Sequence, residues 1–219
     1  MGFGNGPRIV TNGLVLSLDA ADRNSYPGSG TTWFDVSGNN NSGSLTNGPT
    51  FSSANLGSIV FDGVDDIVNL GKPASLDLTT LTLSAWIRTT TNLNQIVIGK
   101  SYISSYYMNI APNVKQFAFW TNGSQLLSTT IPTIGDPIWC NIVGTINSTS
   151  KNVYFNGIIN STTAGSTVGI DSNDVYIGNS PVINSFFLGN IANVQIYNRA
   201  LSPQEVLQNY NATKTRFGL

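Results

Sequence analysis

Apolar and polar residues alternate in short runs along most of this chain. In "GLVLSLD", Leu14, Leu16 and Leu18 share one face, and Val15, Ser17 and Asp19 the other. The cleanest run is "LTLSAWIRTT", where Leu81, Leu83, Ala85 and Ile87 alternate with Thr82, Ser84, Trp86 and Arg88. "NQIVIGK", "YYMNIAP", "KQFAFWTNG", "SQLLSTT", "PIWCNIVGTI", "KNVYFNGIIN" and "DVYIGNS" follow at short spacing, each bounded by turn residues. Residues 20–55 are dense in Gly, Asn, Ser and Pro and read as loop with short strands inside. "GSIVFDGVDDIVNLG" reads as two strands broken at Gly63. Many short strands with Asn-Gly turns and no helix between them predict an all-β antiparallel sandwich.

The period changes once, in "IANVQIYNRALSPQEVLQNY". Val194 and Ile196 continue a strand. Ser202-Pro203-Gln204-Glu205 then spells a capping box: Ser202 at the N-cap, Pro203 at the first helical position, Glu205 reaching back. Val206, Leu207 and Tyr210 supply an apolar face. A short C-terminal helix is predicted, capping one open end of the sandwich. The 219 residues divide into a loose arm over 1–12, one sandwich domain over 13–212 and a tail over 213–219.

Composition narrows the chemistry. Charged residues make up 10% of the chain, against about 25% in a typical soluble protein. Net charge is −1 with no basic run, so nothing points to nucleic acid. Lys214 and Arg216 read as a solvated end. There is no apolar stretch of membrane-spanning length and no signal-peptide pattern at "MGFGNGPRIV", so neither a membrane nor a cleaved signal is expected. Cys140 is the one cysteine and sits in an apolar strand, which predicts a buried, inert thiol.

The chain contains no histidine, which removes Ser-His-Asp and Cys-His nucleophilic sites and the usual zinc sites. Glycoside hydrolysis needs two carboxylates about 5–9.5 Å apart. The one glutamate, Glu205, is committed to the helix cap, and Asp65-Asp66 is the one adjacent pair among ten aspartates. The expectation is a non-enzyme.

Taken in order, "SIVFDGVDDIVNLG", "LTLSAWIRT", "WCNIVGTI", "VYFNGIIN" and "GNIANVQIYNRALSPQEV" resemble a laminin-G-like, concanavalin-A-like lectin/glucanase domain over about residues 13–210. The resemblance implies a jelly-roll sandwich of two curved antiparallel sheets with neighbouring termini. The flanks, "GPRIVTNGLVLSLDAADRNSYPGSGTTWFDVSGNNNSGSL" and "LQNYNATKTRFGL", resemble members carried on tailed-phage particles. They imply a non-enzymatic virion structural protein, a head decoration or fibre component. Such a protein is expected on the particle surface, homo-oligomeric, with other virion proteins and a host-surface glycan as partners. The alternative is a dedicated Ca²⁺-dependent lectin, and the third reading a glycoside hydrolase.

Sugar recognition pairs aromatic platforms with amide and carboxylate groups. Trp86, Arg88, Asn141 and Tyr154 lie opposite the apolar faces of their strands and form one candidate surface. Trp86 and Trp139 also read as packing residues. Trp120, Tyr102, Tyr106 and Tyr107 are the more exposed candidates by pattern. For metal, Asp35, Ser37, Asn39 and Asn41 stand at alternate positions of "DVSGNNN", and "FDGVDD" offers Asp62, Asp65 and Asp66. The resemblance implies one Ca²⁺. The "DVSGNNN" side chains equally suit an Asx-turn loop that holds backbone N–H groups. Many relatives carry Asp at the position of Ala192, so that ligand is missing here.

Overall fold

The computed structural model describes residues 7–101, 103–112, 115–131, 136–180 and 183–219. Among the described residues, two antiparallel sheets of eight strands each face one another across one core. The sixteen strands run in chain order as β1 (Leu14–Asp19), β2 (Thr32–Trp33), β3 (Gly43–Thr46), β4 (Thr50–Ser52), β5 (Ser58–Asp62), β6 (Ile67–Asn69), β7 (Leu81–Thr89) and β8 (Gln95–Gly99), then β9 (Tyr106–Ala111), β10 (Gln116–Thr121), β11 (Ser124–Leu127), β12 (Cys140–Ile146), β13 (Ser150–Phe155), β14 (Ile158–Ala164), β15 (Tyr176–Ile177) and β16 (Leu188–Tyr197). One sheet has the order β14-β13-β12-β7-β16-β5-β4, with β1 also paired to β16; the other runs β11-β10-β9-β8-β15-β6-β3-β2. The predicted all-β sandwich with a short C-terminal helix is the fold observed.

Alternation fixes the register. Leu83 and Ile87 on β7, Ile142 on β12 and Ile191 on β16 point inward and meet Met108, Ile110, Phe117 and Phe119 from the facing sheet. In β1 the pairing with β16 slips between Leu14 and Leu16. Val15 therefore joins the core with Leu16 and Leu18, while Leu14 packs in a separate cluster with Tyr154 and Tyr197. "KNVYFNGIIN" is a hairpin that turns at Asn156-Gly157, and β14 continues through polar "STTA" to Ala164.

The helix α1 (Pro203–Thr213) starts as its capping box predicts. Ser202 Oγ accepts from Glu205 N, and Glu205 Oε2 accepts from Ser202 N at 2.9 Å. Its location differs from the expectation. α1 lies across the outer face of the β7–β12–β13–β16 sheet, not over an open end, because Val206, Tyr210 and the following Phe217 bury there. Leu207 is 43% exposed, and its predicted place on the buried face is taken by Asn209.

Asn209 and Gln208 also explain the arm. Asn209 Oδ1 accepts from Val10 N at 2.8 Å, and Gln208 Nε2 donates to Arg8 O at 2.7 Å. Residues 8–12 are therefore docked on the helix, and the two ends of the domain lie side by side; residues 1–6 lie outside the described ones. The tail is equally integral. A 3₁₀ turn over Lys214–Phe217 places Arg216 in an ion pair with Asp19 at 2.6 Å and buries Phe217, so Arg216 is no solvated end. No helix among the described residues is long and apolar enough to cross a membrane.

Candidate functional site

The aromatic face expected around Trp86 is closed. Trp86 stacks on Phe217, with ring centroids 4.1 Å apart, and on Tyr210 at 5.7 Å; its Nε1 donates to Thr213 Oγ1 at 2.9 Å. Trp139 leans on Phe217 and donates to Asn55 Oδ1. Asn141 turns its amide onto Ala85 O, and Arg88 donates to Pro137 O. Tyr154 is buried with Val143, Tyr197, Leu201 and Val206. These side chains sit on one sheet face as read from the sequence, but the C-terminal segment covers it. Ala192 lies under the same cluster, fully buried. A lone carboxylate there would meet an apolar cover.

On the other sheet, alternation separates neighbours. Tyr106 points into the core and donates its hydroxyl to Leu76 O, so it is no surface aromatic. Burial first, then the Asp77 and Asp171 charges, push its phenol upward. Tyr107 faces outward but lies beneath Trp120, their rings stacked at 5.7 Å. Trp120 is the half-buried, accessible member of this pair. Tyr102 lies outside the described residues.

Trp120 begins a polar chain that ends at the rim of the sandwich. Its Nε1 donates to Asn109 Oδ1 at 3.2 Å; Asn109 Nδ2 donates to Asn94 Oδ1 at 2.7 Å; Asn94 Nδ2 donates to Ser185 Oγ at 2.9 Å. Asn94 and Ser185 line a cleft of about 290 Å³ with Asp62, Asn184, Phe186 and Leu188. The cleft is held from below by Gln95, whose Oε1 accepts from Leu188 N at 2.7 Å and whose amide donates to Thr91 O. Rim loops on a rigid sheet carry it, the usual place for recognition groups. Asn94, Asn184, Ser185 and Phe186 were invisible to sequence reasoning, because two loops about ninety residues apart supply them and no motif links the two.

The two metal candidates separate cleanly. In "DVSGNNN" the Asp35 carboxylate accepts from Ser17 N, Ser37 N, Asn41 N and Ser37 Oγ, all within 3.0 Å. Four donors fill the four acceptor positions of a carboxylate. Ser37 and Asn39 bond within the loop, and Asn41 bridges Val15 O and Ser75 Oγ. This set does not fit a cation; it is a clasp that holds β1. Asp62, Asp65 and Asp66 instead bring three carboxylates within 4.8 Å beside the rim cleft. Burial, then the Asp62 and Asp65 charges, hold Asp66 above the ordinary carboxylate range. An all-oxygen, anionic set of this kind fits Ca²⁺.

A larger groove of about 400 Å³ runs between Asn152, Tyr154 and the start of α1. Its charges are spent on each other. Arg199 grips Glu205 with two bonds of 2.7 and 2.8 Å, which holds the Glu205 carboxyl down to about 2. Glu205 is therefore a fixed anion within a helix cap, ill-suited to donate a proton near neutrality. Cys140 is equally unsuited to chemistry: burial pushes its thiol up to about 12.

Several solved structures share this fold. The binding domain of Paraclostridial mosquitocidal protein 1 superposes with a TM-score of 0.72 at 16% identity, covering 92% of this chain and 52% of that one. The binding domain of botulinum neurotoxin DC, solved in complex with SialylT, gives 0.67 at 15% identity, covering 93% and 52%. Domain 4 of AbnA, a GH43 extracellular arabinanase from Geobacillus stearothermophilus solved with arabinotriose, gives 0.69 at 16%, covering 90% and 98%. The chain thus spans about half the length of the toxin fragments and nearly all of the arabinanase domain. No curated protein matches it by sequence. A family model matches residues 62–207, two thirds of the chain, including the rim carboxylates, the covered tryptophans and the helix cap. The chain belongs to the laminin-G-like family of the concanavalin A-like lectin/glucanases superfamily.

Proposed function

We propose that this chain is a non-catalytic glycan-attachment module, borne on the surface of a phage particle as a decoration or fibre component, and that the rim cleft is where the sugar sits. One observation carries the reading. The cleft is lined by Asp62, Asn184 and Ser185, which offer a carboxylate, an amide and a hydroxyl, together with the apolar Leu93, Phe186 and Leu188. Hydroxyls and C–H faces of a pyranose or furanose ring need that pairing. No basic side chain is among the residues lining the cleft, so the matching ligand is a neutral sugar.

Arabinotriose bound to the arabinanase domain supports a neutral glycan as ligand on this fold. The particle context rests on the phage-like flanks, and repeated packing there would make the protein homo-oligomeric. One Ca²⁺ held by Asp62, Asp65 and Asp66 would supply charge balance at the edge of the cleft and order the Asp62–Asp66 turn. The non-catalytic reading is supported by the carboxylates themselves. Glu205 is locked in its cap, and Asp62 and Asp66 accept from backbone N–H groups of their own turn. Incubation with β-glucans tests it: new reducing ends would identify a hydrolase. Titration with neutral oligosaccharides tests the attachment role.

A further inference from the structure

Lys100 follows β8, Asp77 precedes β7, and Asp171 comes from the loop before β15. The three converge away from the rim cleft. The Lys100 side chain is 1% exposed, Asp171 11% and Asp77 24%. Lys100 Nζ lies against Asp77 Oδ1, with Asp171 Oδ1 4.0 Å away. Ser104 Oγ donates to the other Asp171 oxygen at 2.8 Å and fixes that carboxylate.

As an ammonium, Lys100 carries three N–H donors. Among the described residues it has one acceptor within hydrogen-bond distance, Asp77 Oδ1. Holding that charge away from water is costly. The free amine and the neutral acid, with the same total number of protons as the ion pair, are the reactive forms.

We propose that Lys100 and Asp77 condense spontaneously into an intramolecular amide, with Asp171 carrying the proton. The nitrogen lone pair attacks Asp77 Cγ and the N–C bond forms. Asp171 takes a proton from that nitrogen and delivers it to the departing hydroxyl. The C–O bond breaks, one water leaves, and Asp171 returns to its starting state. No oxidant or co-reactant is needed. The product carries a single N–H, and Asp171 is within reach to accept it. The bond would join the segment entering β7 in one sheet to the end of β8 in the other. It would staple a sandwich whose single cysteine allows no internal disulfide.

Intact-mass spectrometry of the denatured full chain tests this. The expected mass is below the sequence mass by one water, with a branched tryptic peptide joining the Asp77 and Lys100 segments. Asp77→Ala and Lys100→Met should each restore the sequence mass. Asp171→Asn, checked for native near-UV circular dichroism, should also give the unlinked mass. A folded wild type at full sequence mass would overturn the proposal. So would a water loss that maps to a succinimide at Asp62-Gly63. A fully linked Asp171→Asn protein would overturn the role given to Asp171.

Discussion

Phe217, two residues from the C-terminus, stacks on Trp86 in the middle of β7, ring centroids 4.1 Å apart and planes 22° from parallel. This contact turns the outer face of the sheet from a surface into a second core. Phe217→Ala would remove the ring that Trp86 and Trp139 share. The expected loss is about 3 kcal/mol, read as a lower urea midpoint and a red-shifted tryptophan emission. An unchanged emission would mean that the C-terminal turn does not cover Trp86 in solution.

The Ser202–Glu205–Arg199 cluster gives an acid-sensitive helix start. Ser202→Ala should cost about 0.5–2 kcal/mol through the lost cap. The Glu205 carboxyl titrates near 2 in the fold against 4.5 in the unfolded chain, chiefly because of Arg199. Its contribution is complete above about pH 4.5 and is lost as pH falls toward 2. Urea midpoints measured across pH 2–5 should therefore drop less steeply in Glu205→Gln than in the wild type.

The cap was legible in the sequence because it is local: four consecutive residues contain all of its chemistry. The sheets were legible because burial imposes a period of two on "LTLSAWIRTT" and "PIWCNIVGTI". The cover over Trp86 was not. It depends on Phe217, whose tail "KTRFGL" carries no period that marks it as packed. The end of β14 was missed because "STTA" faces solvent and lacks the apolar alternation of a half-buried strand. Asp35 was ambiguous because oxygen ligands for a cation and acceptors for turn N–H groups are the same atoms. Only the four N–H and O–H donors around it decide between them.

Lys151 lies 2% exposed between the sheets, donating to Ser124 O and standing 5.4 Å from the Phe119 ring centroid. Desolvation lowers its amine to about 8 from 10.5. The charged form is the costly one in the fold, so stability should rise as pH goes from about 8 to about 10.5. Lys151→Met should gain about 1–3 kcal/mol at pH 7 and flatten this alkaline limb. Thermal melts of both proteins across that window check it; parallel curves would contradict it.

The two acidic loops should respond differently to Ca²⁺. Asp35→Ala strands three backbone N–H groups and should cost about 1–3 kcal/mol while leaving any Ca²⁺-dependent rise in Tm intact. Asp66→Asn should remove that rise. A Ca²⁺ response lost with Asp35 and kept with Asp66→Asn would reverse the assignment.

The rim cleft is tested most directly by calorimetric titration of neutral oligosaccharides, arabinotriose among them, and of polysaccharide from candidate host surfaces. The wild type, Asn184→Ala and Phe186→Ala should be compared at one Ca²⁺ concentration. Saturable binding by the wild type, weakened about tenfold or more in each variant, is the predicted result. Absence of binding across the whole panel, or binding that both variants retain in full, would contradict the assignment of this cleft as the glycan site.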